Sequence, residues 1–241
     1  MRTQAIPILS DNYAWLLRDE RTGFTAIVDP AEEAPIMAAI DAGGGRLDAI
    51  LLTHHHQDHI AAVEPIRART GAKVIGAKAD AHRLPRLYRA VVEGDVVELG
   101  SARARVIDTP GHTLGHISYF VTPGDILLCA DTLFSLGCGR LNEGGTGAQM
   151  FASLAKLAAL PPGTLVCCGH EYTQSNARFA LAEEPGNAAL QSRAAEVDRL
   201  RAAGQATVPT ALAAELAENP FLRAKDAAAL TAMRRRKDAF R

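Results

Sequence analysis

The heptapeptide Thr53-His54-His55-His56-Gln57-Asp58-His59 is the most informative stretch of the chain and holds four of its eight histidines. It follows the apolar run 49–52, which is typical of a buried strand. Imidazole and carboxylate groups bind zinc, iron or manganese, and a turn after a strand can bring such side chains together. A solvated polar loop is the alternative, but the H-x-H-x-D-H pattern favours a metal site.

Three further candidate ligands each come just after a predicted strand: His112, Asp131 and His170. Taken singly, either histidine could be an unrelated loop or core residue. If their strands share a sheet edge with the run 49–52, seven donors meet at one rim: His54, His56, Asp58, His59, His112, Asp131 and His170. Seven donors exceed the needs of one tetrahedral ion and suit two ions with a shared carboxylate.

Composition indicates an ordinary globular protein, because 48% of the 241 residues are apolar and 22% are charged. No apolar run approaches the ~18 residues that span a bilayer, and the first residues form no signal segment, so we expect a cytoplasmic protein without membrane contact. The four cysteines include no C-x-x-C pair, which predicts reduced thiols in core strands. A net charge of −1 argues against a nucleic-acid partner.

Charge is unevenly distributed along the chain. Residues 221–241 hold seven basic side chains and only two acidic ones, whereas the remainder is mildly acidic. Such a tail indicates either an anionic partner or a solvated helix end whose positive charge suits the helix dipole.

Two kinds of segment divide the chain. Through about residue 172, short apolar strands alternate with helical stretches, which predicts an α/β domain over residues 1–172. From residue 173 onward strand signals disappear and Ala-, Leu-, Glu- and Arg-rich stretches predict a small helical domain over residues 173–241. The strands are predicted at 24–28, 49–52, 73–75, 96–99, 103–107, 116–121, 126–129 and 164–168, and the helices at 32–42, 60–70, 148–160, 174–182, 188–203, 210–217 and 225–236.

Several motifs together resemble the metallo-β-lactamase superfamily and, more narrowly, glyoxalase II, the hydroxyacylglutathione hydrolases. The superfamily is indicated by T-H-H-H-Q-D-H at 53–59, T-P-G-H-T-L-G-H-I-S-Y-F at 109–120, A-D-T-L-F at 130–134 and C-G-H-E-Y-T at 168–173. The narrower match runs over essentially the whole chain, through D-N-Y at 11–13, I-V-D-P at 27–30, E-P-G-N at 184–187, N-P-F-L-R at 219–223 and R-R-R-K-D at 234–238.

The resemblance implies an αββα sandwich with a small C-terminal all-helical domain that binds substrate. It implies two divalent ions, with zinc expected and iron or manganese as alternatives. One ion is assigned to His54, His56 and His112, the other to Asp58, His59 and His170, and Asp131 bridges them. No side chain is then expected to act as nucleophile, because a hydroxide between the ions fills that role.

The resemblance also implies the substrate. An S-(2-hydroxyacyl)glutathione, with S-lactoylglutathione expected, would be hydrolysed to glutathione and a 2-hydroxy acid such as D-lactate, a step of methylglyoxal detoxification. Arg234 and Lys237 are assigned to the glycine carboxylate, with Arg140 and Tyr172 also lining the pocket. Arg234 and Lys237 are three residues apart and therefore lie on one face of a helix.

The sequence departs from the family pattern at several positions. Leu141 and Asn142 stand where two bulky residues, the second aromatic, are usual. The stretch 143–146 has one glycine more than the usual E-G-T, and Ala130 replaces a common glycine before the bridging aspartate. These departures bear more on substrate contacts than on metal binding.

Other functions fit parts of this pattern. A persulfide dioxygenase of the same superfamily holds one iron and would need only His54, His112 and Asp131. Another hydrolase of the same fold, a nuclease or a non-enzymatic metal- or glutathione-binding module are further alternatives. The second set of ligands and the R-x-x-K pair in the tail favour hydrolysis at two metals.

Overall fold

A computed structural model describes residues 1–240, and its central feature is a pair of six-stranded sheets. The first sheet has antiparallel pairing at one edge and parallel pairing from its third strand onward. In spatial and chain order it contains β1 Arg2–Ile8, β2 Asn12–Arg18, β3 Thr25–Val28, β4 Ala49–Leu51, β5 Lys73–Ala77 and β6 Arg89–Val91.

The second sheet has the order β14-β13-β10-β9-β8-β7. Strands β8, β10 and β13 run in one direction, because β9 pairs antiparallel with both β8 and β10 while β13 pairs parallel with β10. Its members are β7 Val96–Leu99, β8 Ala102–Asp108, β9 Ile117–Thr122, β10 Ile126–Ala130, β13 Leu165–Cys168 and β14 Thr210–Ala211, and a separate hairpin pairs β11 Leu133–Phe134 with β12 Gly137–Cys138.

The two sheets pack face to face over the largest apolar cluster, to which Leu17, Leu51 and Tyr119 contribute fully buried side chains. A second cluster lies between the outer face of the first sheet and two helices, and includes Ile36, Ile50 and Ile66. On the other side, the second sheet is covered by a helix that contributes Met150 and Leu154 to the main cluster. These layers form the αββα sandwich that the sequence predicted.

The helices confirm a helical C-terminal region. Those of the sandwich are α1 Glu33–Ala42, α2 Gln57–Ile60, α3 Val63–Thr70 and α4 Gly147–Ala158, and those that follow are α5 Thr173–Glu183, α6 Ala188–Ala202, α7 Leu212–Glu218 and α8 Ala227–Ala239. A small apolar cluster of Leu136, Ala177 and Leu190 joins α5 and α6 to the loop before β12. Helix α8 packs on α4.

Six strands of the structure were not predicted: β1, β2, β6, β11, β12 and β14. The helix predicted at 60–70 is two helices, α2 and α3. The first two strands were not predicted, because Pro7 interrupts one and the other is an unbroken apolar run whose period fits helix or strand equally well. The helix predicted at 210–217 begins as the two-residue strand β14, which extends the second sheet into the C-terminal region. The predicted boundary between residues 172 and 173 coincides with the start of α5, and an independently folding C-terminal domain stays a prediction.

Within residues 1–240, no helix combines the length and apolar character that a bilayer crossing requires. All four cysteines are buried free thiols. Burial raises the pKa of the Cys138 thiol to about 12, so this thiol stays protonated at neutral pH.

Candidate metal centre

The seven predicted ligands lie along one rim of the sandwich, just beyond the carboxyl ends of four strands. The heptapeptide 53–59 follows β4, and His112, Asp131 and His170 follow β8, β10 and β13. Because β8, β10 and β13 point the same way, their ends share one edge. The backbone N–H of Ile117 donates to the carbonyl of Thr53 at 3.0 Å and ties the two sheets together there.

The first group of donors contains His54, His56 and His112. Nδ1 of His56 lies 3.2 Å from Nε2 of His54 and 3.1 Å from Nε2 of His112. His54 is fully buried and His112 is 5% exposed. Three imidazole nitrogens therefore converge on one point at the rim, which is the arrangement of a three-histidine metal site.

The second group contains Asp58, His59 and His170. Nε2 of His59 lies 3.3 Å from Nε2 of His170 and 3.6 Å from Oδ2 of Asp58. The short helix α2 presents Asp58 and His59 on successive residues, and the turn after β13 supplies His170. This group also matches the nitrogen and oxygen donors that divalent transition metals accept.

Asp131 lies between the two groups and contacts both. Its Oδ2 is 3.4 Å from Nε2 of His112 and 3.3 Å from Nε2 of His170, while its Oδ1 is 3.4 Å from Nε2 of His59. Oδ1 of Asp131 is buried without a hydrogen-bond partner. A buried carboxylate oxygen without a donor is costly, and a cation at this point removes that cost.

The partners of the outward ring nitrogens show that these nitrogens carry the hydrogens. In a neutral imidazole the inward nitrogen then carries a lone pair. Nδ1 of His112 lies 2.9 Å from the carbonyl of Arg140, which can only accept, so Nδ1 carries the hydrogen. Thr53 donates its hydroxyl hydrogen to Asp29 and therefore accepts from Nδ1 of His54 at 3.0 Å.

The other three outward nitrogens face carboxylates. Nε2 of His56 faces Glu143, Nδ1 of His59 faces Asp29, and Nδ1 of His170 faces Asp11. In their neutral forms the five imidazoles thus aim lone pairs at one another, an arrangement that a divalent cation in each group stabilises. The residues present fit a divalent metal centre.

Charge at the rim also favours cations. Burial raises the pKa of Asp131, but the His59 and His170 imidazoles hold it well below its usual range, so this carboxylate stays ionised. Burial lowers the pKa of His59, but the carboxylates Asp131, Asp29 and Asp58 raise it to about 9. The carboxylates therefore create a negative field at the second donor group that attracts a proton or a metal ion, whereas burial lowers the pKa of His54 and of His112 in the first group.

A cavity of about 420 Å³ opens beside the donors and extends to the C-terminal helices. This volume is within the range of small-molecule sites. Five of the donors line it, namely His56, Asp58, His112, Asp131 and His170, and so do the four predicted substrate-binding residues: Arg140, Tyr172, Arg234 and Lys237. The structure thus brings together both predicted sets around one space.

The two cations of α8 that line the cavity have different surroundings. Arg234 is buried, donates to the carbonyl of Cys138 at 2.7 Å and pairs with Asp238 at 2.9 Å. Lys237 donates to the hydroxyl of Ser175 at 2.8 Å, and burial, with the neighbouring Arg234 and Arg140, lowers its pKa to about 8. We call the side of the cavity that carries Arg140, Arg234 and Lys237 the basic wall. Arg234 is buried within this wall, whereas Lys237 is half-buried beside the cavity.

Tyr172 stacks on the ring of His170, with ring centres 4.5 Å apart and an angle of 8° between the planes. The ring of Tyr172 also packs edge-on against the ring of Phe134. Burial raises the pKa of the Tyr172 hydroxyl above its usual value, so the phenol stays protonated at neutral pH. Arg140, by contrast, has a side chain that is 74% exposed.

Sequence reasoning missed the residues that hold the donors. Asp29 accepts from the backbone and hydroxyl of Thr53 and faces His59, and Asn12 donates to Asp58 at 3.0 Å. Asp29 directly follows the buried strand β3, the same position that identified the other ligands, so this signal was available. Asp11 and Glu143 carried no comparable signal, because only the folded chain brings them to a histidine.

Family models match nearly the whole chain. The description "Metallo-beta-lactamase superfamily" matches residues 9–170, and "Hydroxyacylglutathione hydrolase C-terminus" matches residues 171–240. The chain is 56% identical to a hydroxyacylglutathione hydrolase of Acidiphilium cryptum strain JF-5 over 236 residues, which cover 98% of this chain and 95% of that one.

Solved structures have the same fold. ETHE1 from Myxococcus xanthus superimposes with a TM-score of 0.73 at 27% identity, over 98% of this chain and 90% of its own. TTHA1623, solved in a di-iron-bound form, superimposes with a TM-score of 0.61 at 28% identity, over 70% of this chain and 92% of its own.

Proposed function

The chain belongs to the hydroxyacylglutathione hydrolases of the metallo-beta-lactamase superfamily, and on that premise we propose that it hydrolyses the thioester of S-(2-hydroxyacyl)glutathione at a two-metal centre. The expected substrate is S-lactoylglutathione, and the products are glutathione and D-lactate, as a methylglyoxal-detoxifying enzyme of the cytoplasm would form them. The observation that carries the proposal is the position of Asp131, whose two oxygens face both donor groups.

We propose His54, His56 and His112 as ligands of one ion and Asp58, His59 and His170 as ligands of the other, with Asp131 shared. When bound, divalent ions lower the pKa of water toward ~7 and polarise a carbonyl, so that no serine or cysteine nucleophile is needed. Asp58 remains a ligand rather than a base, because a carboxylate bound to a dication is a poor proton acceptor.

The protein's own residues bind and orient the thioester. Lys237 offers its ammonium to the glycine carboxylate of glutathione, and exposed Arg140 can approach the same anionic substrate from the facing loop. Arg234 supports this wall from inside, since its guanidinium is bound to Cys138 and Asp238. The protonated phenol of Tyr172 can donate a hydrogen bond to the substrate above His170.

The overall reaction adds water across the acyl–sulfur bond. The carbonyl carbon gains an oxygen, the C–S bond breaks with its electron pair on sulfur, and glutathione leaves as a thiolate. Because a thiolate is a fair leaving group, the chain needs no strong general acid near the sulfur. This agrees with a cavity in which the aromatic and basic residues Tyr172, Arg140 and Lys237 face the substrate.

Zinc is the proposed metal, because a set of imidazole and carboxylate donors is typical of zinc hydrolases. The di-iron-bound form of TTHA1623 favours iron as the second candidate. Elemental analysis of protein purified without added metal tests this choice, and two ions per chain are expected in either case.

A persulfide dioxygenase is the second candidate function. It would need only three of the seven donors and would leave four without a role, which weighs against it: His56, Asp58, His59 and His170. Purified protein is to be assayed in parallel for thiol release from S-lactoylglutathione and for oxygen uptake with glutathione persulfide. Thiol release with one equivalent of lactate and no oxygen uptake is expected. Oxygen uptake without thiol release would replace hydrolysis by oxidation.

A further inference from the structure

Two carboxylates outside the cavity contact the outward nitrogen of a donor histidine, one carboxylate in each donor group. Oε1 of Glu143 lies 3.1 Å from Nε2 of His56, and Oδ1 of Asp11 lies 3.0 Å from Nδ1 of His170. Both side chains are 41% exposed, and neither lines the cavity. The other three histidines are held differently, because their outward nitrogens meet buried Thr53, buried Asp29 or a backbone carbonyl.

We propose that Glu143 and Asp11 are positioning residues that act on separate ions, Glu143 through His56 and Asp11 through His170. The inference rests on the proposed two-metal function. A carboxylate that accepts the outward N–H of a ligating imidazole fixes its tautomer and ring direction and makes the inward nitrogen a stronger donor. Each carboxylate therefore increases the affinity of the protein for one ion and has no direct contact with substrate.

Glu143 is held in place by several contacts. Its Oε2 lies 2.8 Å from Nε2 of His55 and accepts from Arg83 at 2.7 Å, and Asp80 holds both of those partners from behind. Its backbone is left-handed, with φ of 50°, a conformation that is unfavourable for a non-glycine residue. The side-chain contacts offset that cost and keep the carboxylate directed at the rim.

Asp11 is held by the turn between β1 and β2. Its carbonyl accepts from the backbone N–H of Glu171 at 2.8 Å, next to His170, and the adjacent Asn12 donates to Asp58. The turn therefore reaches two members of the second donor group. The loop of Glu143 similarly reaches the first group twice, because the N–H of Asn142 donates to the carbonyl of His112 at 3.1 Å.

The test uses Glu143→Gln and Asp11→Asn, which keep an acceptor oxygen but remove the charge. Zinc-loaded full-length protein is titrated with a chelating dye, and the ions lost at each chelator concentration are counted. Each single variant is expected to hold one ion as tightly as wild type and the other roughly 10–100-fold more weakly. The double variant is expected to hold both ions weakly.

Glu93→Gln is the matched control. Glu93 has a side chain that is 44% exposed and pairs with Lys156 at 2.8 Å, but it contacts none of the donors. It is expected to bind two ions like wild type. In Glu143→Gln and Asp11→Asn, KM is expected to stay near the wild-type value while kcat falls, and excess zinc in the assay is expected to restore kcat.

Three outcomes would overturn the inference: single variants that hold both ions with wild-type affinity, single variants that weaken both ions equally, or a double variant with only one weakened ion. Wild-type protein that binds fewer than two ions is a different result, because it contradicts the proposed two-metal centre itself. The melting temperature of each variant is measured alongside, and a value near that of wild type is expected because both residues lie at the surface.

Discussion

The metal rim and the basic wall of the cavity are built differently. At the rim the donor histidines are almost completely buried, apart from His56, whose side chain is 22% exposed. Strand-end residues hold the outward nitrogens of His54 and His59, whereas the loop after β12 holds those of His56 and His112. The basic wall comes from α8 and the same loop, and its cations range from buried Arg234 to the largely exposed Arg140. The comparison teaches that the sheets position the donors, whereas the elements added to them carry the cations of the cavity and part of the support for the donors.

The largest expected effect tests the rim. Replacing Asp131 by Ala removes the carboxylate whose two oxygens face both donor groups, so the ions would lose their shared anion and repel each other. We expect loss of two-metal binding together with a fall in kcat of at least roughly 10²–10³-fold. Elemental analysis and thiol release measure the two effects.

Asp108→Ala is the control for this change, because Asp108 ends β8 but lies outside the cavity. It should keep both ions. An Asp131→Ala protein that still holds two ions per chain would show that the two donor groups do not depend on a shared carboxylate.

A smaller effect is expected at the wall. Lys237→Ala would remove the charged contact proposed for the substrate carboxylate, at a distance from the reacting carbonyl. Such a contact contributes about 1.5–3 kcal/mol to binding of ground and transition state alike, so KM should rise roughly 10–100-fold with little change in kcat. Steady-state kinetics with S-lactoylglutathione measure KM and kcat separately.

Arg235→Ala, on the exposed side of α8, is the control and should match wild type. An unchanged KM in Lys237→Ala would show that this residue does not contribute to substrate binding.

The pH dependence of KM is a further test of the basic wall. Lys237 faces the cations Arg234 and Arg140 and the carboxylate of Asp238, and its pKa is lowered to about 8. Below pH 8 the ammonium is present, and above it the amine becomes neutral and can no longer pair with a carboxylate. KM should therefore rise as the pH increases from 8 to 9.5.

The KM profile of Lys237→Arg should be flat over that range, because a guanidinium remains charged. A rise in KM that is identical in wild type and Lys237→Arg would assign the titration to another group.

The smallest expected effect concerns the strand end before the shared carboxylate. Ala130 has φ of 38°, a left-handed conformation that explains why glycine is common at this position. Ala130→Gly relieves strain of roughly 1–2 kcal/mol but removes a buried methyl group that contributes about 0.8 kcal/mol. The free energy of unfolding should rise by no more than about 1 kcal/mol, measured by urea denaturation. A loss of more than 1 kcal/mol would mean that this backbone is not strained.

The sequence predicted the rim better than the wall. Ligands at the rim follow buried strands, so strand patterns predicted that His112, Asp131 and His170 meet the heptapeptide if their strands share a sheet with the run 49–52. That condition is wrong, because β4 lies in the first sheet whereas β8, β10 and β13 lie in the second. The ligands meet because the two sheets pack face to face with these strand ends at one rim. Two strands of the first sheet were missed for different reasons, because Pro7 interrupts β1 and the apolar run of β2 does not distinguish helix from strand.

Contacts behind the rim could not be predicted in this way. Glu143 meets His56 across 87 residues, and Asp11 meets His170 across 159. Neither pairing follows from local periodicity, since a loop and a turn bring the partners together. The family resemblance assigned Arg234 to the substrate. Its burial and its bonds to Cys138 and Asp238 depend on the packing of α8, which residue spacing in the sequence does not predict.

The most direct test of the central claim compares two thioesters with the purified, metal-assayed protein. One is S-lactoylglutathione, and the other is the lactoyl thioester of a small neutral thiol. Two-metal hydrolysis with a basic wall for glutathione predicts fast thiol release from the first and a much lower kcat/KM for the second. Equal rates for both would contradict the role of the wall, and release from neither with two ions bound would contradict thioester hydrolysis as the function.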